Sequence, residues 1–323
     1  MPQILHRLVL PSFRSALSQH LPVLAIRSGN PGPCVAVTAN IHGDEATGVG
    51  VIHQLMGVLE QDLLRGEVFL YPSLNLPGLV QATRTLPADG QDLNRLFPGD
   101  ARGTASERHA HAIWSDLASR GIQLLIDLHA DAPAAIPYAL ADRVCRGKPG
   151  DAALERRVHA LAAATGLTVL REYPREQYLR YHLDRSLSGA AVNVMGVPAV
   201  TIEAGPRRYL DPTAVDIALN AVLGVLAAEE MVAEPHAAHP SRLEGGPWRR
   251  QPGPRASVSG IFHALIRPGE PFTVGDLLAE VRSLEGRPLE QLRAESEGYV
   301  ISLPERAWMI AGVSAGTYAT RDG

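Results

Sequence analysis

Three side chains in this sequence could meet on one metal ion. His42 and Glu45 stand three residues apart in Asn40-Ile41-His42-Gly43-Asp44-Glu45, and His129 follows the apolar run at residues 124–128. An imidazole and a carboxylate on one turn, joined by a second imidazole, form a His, Glu, His set that leaves a fourth position for water, as catalytic zinc sites do. Taken alone, His42-x-x-Glu45 reads equally as a solvated helix start, where the helix dipole favours Glu45. The context and the second strand-end histidine tip the reading toward a metal site.

That context is a set of strand ends. The run at residues 34–39 enters the first motif, and a helical pattern over residues 46–60 leaves it, with apolar repeats at Val49, Ile52, Met56 and Leu59. Residues 124–128 read as a second buried strand delivering His129. A third, residues 198–202, ends at Glu203. Open α/β sheets bind ligands at the carboxyl ends of their strands, so these termini belong to one site if the strands are neighbours. Asp127, two residues before His129, points to the same side of its strand. It reads either as a carboxylate that orients the histidine or as an ordinary strand-end acid.

Further strands are expected at residues 21–27 and 68–71, and helices at 106–119, 152–165 and from about Asp211 to Glu230. Ser106 is the expected cap of the first of these helices. The stretch 77–102 reads as a long polar loop, and loops of that length in a compact domain are usually functional. It carries Arg84 and Asp92-Leu93-Asn94-Arg95. His53 reads as a packing residue, and His109 and His111, two apart on one helix, as surface residues. Residues 172–188 are rich in arginine and tyrosine. They read as a substrate-reading loop or, more simply, a solvated surface.

Asn40-Ile41-His42-Gly43-Asp44-Glu45, Asp92-Leu93-Asn94-Arg95, Asp127-Leu128-His129 and Glu203-Ala204-Gly205 together resemble the succinylglutamate desuccinylase/aspartoacylase family, zinc deacylases related to the M14 carboxypeptidases. The motifs occur in the family's order from Val35 to Gly205. The resemblance implies a three-layer α/β/α, zinc-carboxypeptidase-like domain with a mixed, mostly parallel sheet. It implies one zinc per chain on His42, Glu45 and His129, with Glu203 as the catalytic base. Arg84 resembles the arginine that stabilises the oxyanion, and Asn94 with Arg95 the pair that binds the substrate's α-carboxylate. The expected activity is hydrolysis of the amide bond of an N-acylated amino acid carrying a small acyl group such as acetyl or succinyl. A metallocarboxypeptidase acting on peptides and a non-catalytic metal-dependent binding protein of the same fold are the rival readings.

The bulk of the chain sets limits on its partners. A formal net charge of -4 over 323 residues gives no electrostatic basis for nucleic-acid binding. No apolar run is long enough to cross a membrane, and the first residues lack the pattern of a signal peptide. The two cysteines, Cys34 and Cys145, suggest no disulfide framework, which suits a cytoplasmic location. Composition divides the chain into a deacylase domain at 1–235, a Pro-, Gly-, His- and Arg-rich linker at 236–255, and a glycine-punctuated C-terminal region at 256–323. That region resembles the small all-β, barrel-sandwich domain of some family members. It is expected to shape the site entrance or a homo-oligomer interface. Lys148 is the chain's only lysine, so the region cannot be a lipoyl or biotinyl carrier.

Overall fold

The computed structural model describes residues 3–9, 20–233, 239–240, 243, 245–246 and 248–321. The expected linker therefore lies partly outside the described residues. The first described element is β1 (Gln3–Val9), antiparallel to β2 (His20–Arg27). Next come β3 (Cys34–Ala39), α1 (Thr47–Asp62), β4 (Glu67–Tyr71), α2 (Leu76–Gln81), α3 (Ala105–Ser119) and β5 (Leu124–His129). Then follow β6 (Tyr138–Ala141), α4 (Asp151–Ala164), β7 (Thr168–Arg171), α5 (Arg175–Arg180), α6 (Leu187–Ala190), β8 (Ala199–Glu203) and α7 (Pro212–Ala228). The C-terminal strands are β9 (Trp248–Pro252), β10 (Gly260–Ala264), β11 (Pro271–Phe272), β12 (Leu277–Arg282), β13 (Pro288–Arg293), β14 (Gly298–Ser302), β15 (Trp308–Met309) and β16 (Thr317–Arg321).

Twelve of these strands form one sheet, in the order β1-β2-β4-β3-β5-β8-β6-β7-β9-β16-β14-β11. From β4 to β9 every neighbouring pair is parallel except β8/β6. Parallel strands are buried on both faces and so read as continuous apolar runs; β3 and β5 are buried at every position. The helices α1 and α4 both pack against α7. On β4, Tyr71 Oη donates to Asp116 of α3 at 2.7 Å, and Arg120, which caps the C-terminus of α3, stacks over Phe69. The layered α/β/α architecture expected from the sequence is the one observed.

The remaining strands form a second sheet, β13-β12-β10-β15. A cluster of Phe272, Leu278, Ala294, Val300 and Tyr318 fills the space between it and the end of the large sheet. Residues 248–252 fall within the stretch read as a linker. They form β9, which pairs with β7 and carries the large sheet into the C-terminal region.

Three local expectations are corrected. The helix over 105–119 is capped by Thr104, not Ser106: Thr104 and Glu107 form a reciprocal capping box. His109 is fully buried and lies 2.7 Å from the Leu74 carbonyl. The polar stretch 77–102 contains the end of α2 and a short 3-10 turn, Leu93–Arg95.

Candidate metal and catalytic site

The register of three parallel strands assembles the site. Ala39 on β3 lies opposite Leu128 on β5, and His129 lies opposite Glu203 on β8. The motif after β3 turns at Asn40, which adopts a left-handed backbone (φ 58) that Asn tolerates better than most residues. Its side-chain amide donates to the carbonyls of His42, Gly43 and Glu45 at 3.0–3.1 Å and accepts from Ser73 Oγ at 2.7 Å. Gly43 is required by packing: a Cβ there would come within 2.4 Å of the Gly78 and Leu79 backbone. Asn40 and Gly43 thus fix the loop that presents His42 and Glu45.

The metal-ligating atoms of His42, Glu45 and His129 lie within 4.8 Å of one another, and all three residues are buried. His42 Nδ1 is 2.9 Å from Glu45 Oε1, and His129 Nδ1 is 2.7 Å from Glu45 Oε2. The opposite ring nitrogens face acids: His129 Nε2 lies 3.1 Å from Asp127 Oδ2, and His42 Nε2 lies 3.3 Å from Asp92 Oδ1. Thr38 Oγ1 donates to the other Asp127 oxygen at 2.7 Å. Metal-binding histidines are commonly held this way, with a carboxylate fixing the ring from the far side. The donor set therefore fits a divalent cation with two nitrogen ligands and one oxygen ligand.

Charge keeps the group compact. Burial pushes the Glu45 carboxyl up, but His42 and His129 outweigh it and hold Glu45 well below the usual carboxylate range. Burial pulls the His129 imidazole down, but the Asp127 and Glu45 carboxylates raise it well above its ordinary value. Glu203 behaves differently. Its Oε2 is buried with no hydrogen-bond partner among the described residues. Burial, reinforced by the negative charges of Glu45 and Asp131 and opposed by His129, pushes its carboxyl up to about 8.

Arg84 lies beside the cluster. Its Nε and Nη2 donate to Asp92 Oδ2 at 3.1 and 3.0 Å, while Nη1 is 3.5 Å from Glu45 Oε1. Asp92 Oδ1 also accepts from the Asn94 backbone at 2.9 Å, so this acid orders the whole turn. Asn94 Nδ2 is 3.5 Å from His129 Nε2, and its Oδ1 accepts from the Leu187 backbone at 2.7 Å. Arg95, half-buried, donates to the Asn94 carbonyl. The structure thus places Arg84, Asn94 and Glu203 beside the His42, Glu45 and His129 cluster, with Arg95 next to Asn94. Arg175, Arg180 and Arg185 instead face solvent, although Tyr178 in the same stretch is buried and donates to Asp142 at 2.8 Å.

Two cations were not anticipated. Arg207 Nε donates to the Ala130 carbonyl at 3.2 Å and lies 3.8 Å from Glu45 Oε1. Arg250, from β9, pairs with buried Glu172 at 2.9 Å, stacks over Tyr173 and lies within electrostatic reach of Glu203 and Arg95. Arg207 closely follows the Glu203 strand end, a cue that was available in the sequence. Nothing local pointed to Arg250.

Comparison with known proteins places the chain among deacylases. The chain is 25% identical over 289 residues to N-alpha-acetyl-L-2,4-diaminobutyric acid deacetylase of Halomonas elongata, covering 86% of this chain and 79% of that one. Its fold is similar to the crystal structure of a succinylglutamate desuccinylase/aspartoacylase from Rhodobacter sphaeroides, with a TM-score of 0.82, 23% identity, and coverage of 98% and 94%. A metallo-carboxypeptidase from Burkholderia cenocepacia shares less of the fold, with a TM-score of 0.52, 16% identity, and coverage of 71% and 65%. Residues 31–228 match the profile of the Succinylglutamate desuccinylase/Aspartoacylase catalytic domain, and the chain belongs to that family.

Proposed function

We propose that the protein is a zinc-dependent amidohydrolase that removes a small acyl group from an N-acylated amino acid and releases the free amine. The observation that carries this reading is the convergence of both histidine Nδ1 atoms on Glu45, with Glu203 opposite His129 on the next strand. The N-acetyl substrate named for the Halomonas relative supports the amide class. His42, Glu45 and His129 would hold one zinc ion. When bound, that ion would polarise the acyl carbonyl and acidify the attacking water.

The chain's own residues supply the rest. Glu203 takes the proton of the attacking water as the new C–O bond forms. It then returns that proton to the leaving nitrogen as the C–N bond breaks. Burial raises the Glu203 carboxyl above the ordinary carboxylate range, which makes its carboxylate a stronger base toward the water proton. Arg84, fixed by Asp92, faces the developing oxyanion. Arg95 and Asn94 hold the α-carboxylate, for which the planar guanidinium fork is well shaped. We place the enzyme in the cytoplasm, acting on a small molecule. Among the described residues no helix is long and apolar enough to cross a membrane.

The test is a panel of N-acetyl, N-succinyl and N-formyl amino acids incubated with zinc-loaded protein and scored for free amine, with a peptide-length series beside it. Release of amine from single N-acyl amino acids is expected. Turnover confined to peptides would make the protein a carboxypeptidase, and no turnover with full zinc occupancy would make it a binding protein.

A further inference from the structure

A cavity of about 520 Å³ adjoins the cleft without being part of it, since its lining includes no metal ligand, nor Glu203, Asn94 or Arg95. The charged side chains that line it are Asp44, Arg84, Arg207 and Arg208 and, from the C-terminal region, Glu305 and Arg306. Two of these are committed elsewhere. Arg84 is held by Asp92, and Arg207 Nε donates to the Ala130 carbonyl. The others are loosely held. Glu305 reaches Arg207 and Arg208 only at 3.9 Å, beyond hydrogen-bond distance. Arg306 is exposed, with no ion-pair partner among the described residues. Asp44 is 5% exposed, and its Oδ1 is buried with no hydrogen-bond partner among the described residues. Arg207 offsets the charge of Asp44 from a distance but donates to it no hydrogen bond. A buried carboxylate oxygen in that state calls for a donor from outside the chain.

Asp44 and Arg208 are fixed to each other. Arg208 adopts a left-handed backbone (φ 72), uncommon for a residue with a long side chain, and its N–H donates to the Asp44 carbonyl at 2.6 Å. The two free charges therefore keep one spacing, and that restricts what can satisfy them. A bare anion suits Arg208 and Arg306 but meets the negative charge of Asp44 and leaves its oxygen without a donor. A bare cation supplies that donor but is repelled by the guanidinium groups. A molecule with a carboxylate and an ammonium on one carbon answers both. Trp308, Ile310 and Val313, half-exposed around the same cavity, offer an apolar side chain a surface to cover.

From this geometry we infer that the cavity is a second small-molecule site, which binds a free α-amino acid with an apolar side chain. The carboxylate lies at Arg208 and Arg306, the ammonium at Asp44 and the side chain against Trp308. The site stands on the cavity and its charges and does not depend on the deacylase reading. Where both hold, the amine released in the cleft belongs to the class of molecule that the cavity binds.

The test is calorimetry on zinc-loaded full-length Arg95→Met protein, in which the guanidinium that could hold a carboxylate in the cleft is gone. The probes are L-leucine, 4-methylpentanoate, which lacks the ammonium, and 3-methylbutylamine, which lacks the carboxylate. Leucine should bind at least about tenfold more tightly than either of the others. Adding Arg208→Gln or Arg306→Gln should each weaken leucine by about tenfold, and Trp308→Ala should weaken it by about fivefold. Asp44→Asn should bring leucine to within about twofold of 4-methylpentanoate. Zinc content and circular dichroism check each variant, and if Asp44→Asn does not fold, the two arginine variants decide. Absence of leucine binding, or binding that neither arginine variant changes, overturns the site. Binding of 4-methylpentanoate as tight as leucine overturns it in favour of a simple anion site, and equally tight binding of the amine in favour of a cation site. None of these results bears on turnover in the cleft, which the acyl-amino-acid panel tests separately.

Discussion

Asp127→Asn tests whether the carboxylate behind His129 sets the affinity for metal. Asp127 is 1% exposed, with one oxygen 3.1 Å from His129 Nε2 and the other accepting from Thr38 at 2.7 Å. Asparagine keeps the shape and an acceptor oxygen but loses the charge. A hydrogen bond to a charged group contributes about 1.5–3 kcal/mol and a neutral one about 0.5–1.5 kcal/mol, so the loss should be about 1–1.5 kcal/mol. That is about tenfold in metal affinity, the lower end of what outer partners of metal ligands give. Asp127→Ala strands two buried groups and should approach a hundredfold. Protons compete for the same site. Asp127 helps hold the His129 imidazole well above its ordinary value, so the ion must displace a proton and affinity should climb with pH. Removing Asp127 lowers that proton affinity, so the deficit of the variant should be largest at pH 8 and shrink toward pH 6. Competition against a calibrated zinc chelator at both pH values, with circular dichroism as the check on folding, measures this. A deficit below about twofold at pH 8, or one that grows on acidification, would refute the reasoning.

Glu203→Gln should lower kcat by at least about a hundredfold while elemental analysis still finds one zinc per chain; near-normal turnover removes Glu203 as the base. Arg95→Met and amidation of the substrate α-carboxylate should each cost about thirty- to a thousandfold in kcat/KM. Combined, they should cost little more than either alone, and simple additivity would show that the two groups do not touch. Asp142, buried beside Glu172, has its carboxyl pushed up to about 7. Because the folded pKa lies above the unfolded one, the stability it contributes is complete below about pH 4 and is lost as pH rises through 7. Asp142→Asn keeps an acceptor for Tyr178 and should be more stable than wild type at pH 8.5, on the order of 2–4 kcal/mol, with the gap closing toward pH 4. Parallel denaturation curves across that range would contradict it.

What could be read from the sequence was whatever local pattern encodes. Buried parallel strands announce themselves as apolar runs, and the ends of those runs pick out His42, His129 and Glu203 by position alone. The cap at Thr104 was also legible, since Thr104-x-x-Glu107 is the capping-box pattern; the nearer Ser106 drew the reading away from it. His109 was not legible, because a histidine on a helix says nothing of the Leu74 carbonyl that will receive it across the fold. Asn40 belongs to the first motif, but its work is backbone geometry that residue type alone does not reveal. Glu305 and Arg250 reach the site from far along the chain, and no spacing rule links them to it.

The C-terminal region shows where composition misleads about space. The shift to Pro, Gly, His and Arg marks where the chain leaves its last helix, yet β9 within that shift pairs with β7. Trp248 then packs with Tyr138, Leu140 and Leu170, and Tyr138 lies in register with Glu203. Arg250 supplies the cation for Glu172, an acid 4% exposed that would otherwise be buried without an ion-pair partner among the described residues. Breaking a buried pair by removing one partner costs far more than the pair itself contributes. The strands after the compositional break are therefore part of what holds the floor of the cleft. Through Glu305, 3.9 Å from Arg207, the same region also reaches the cations beside Glu45.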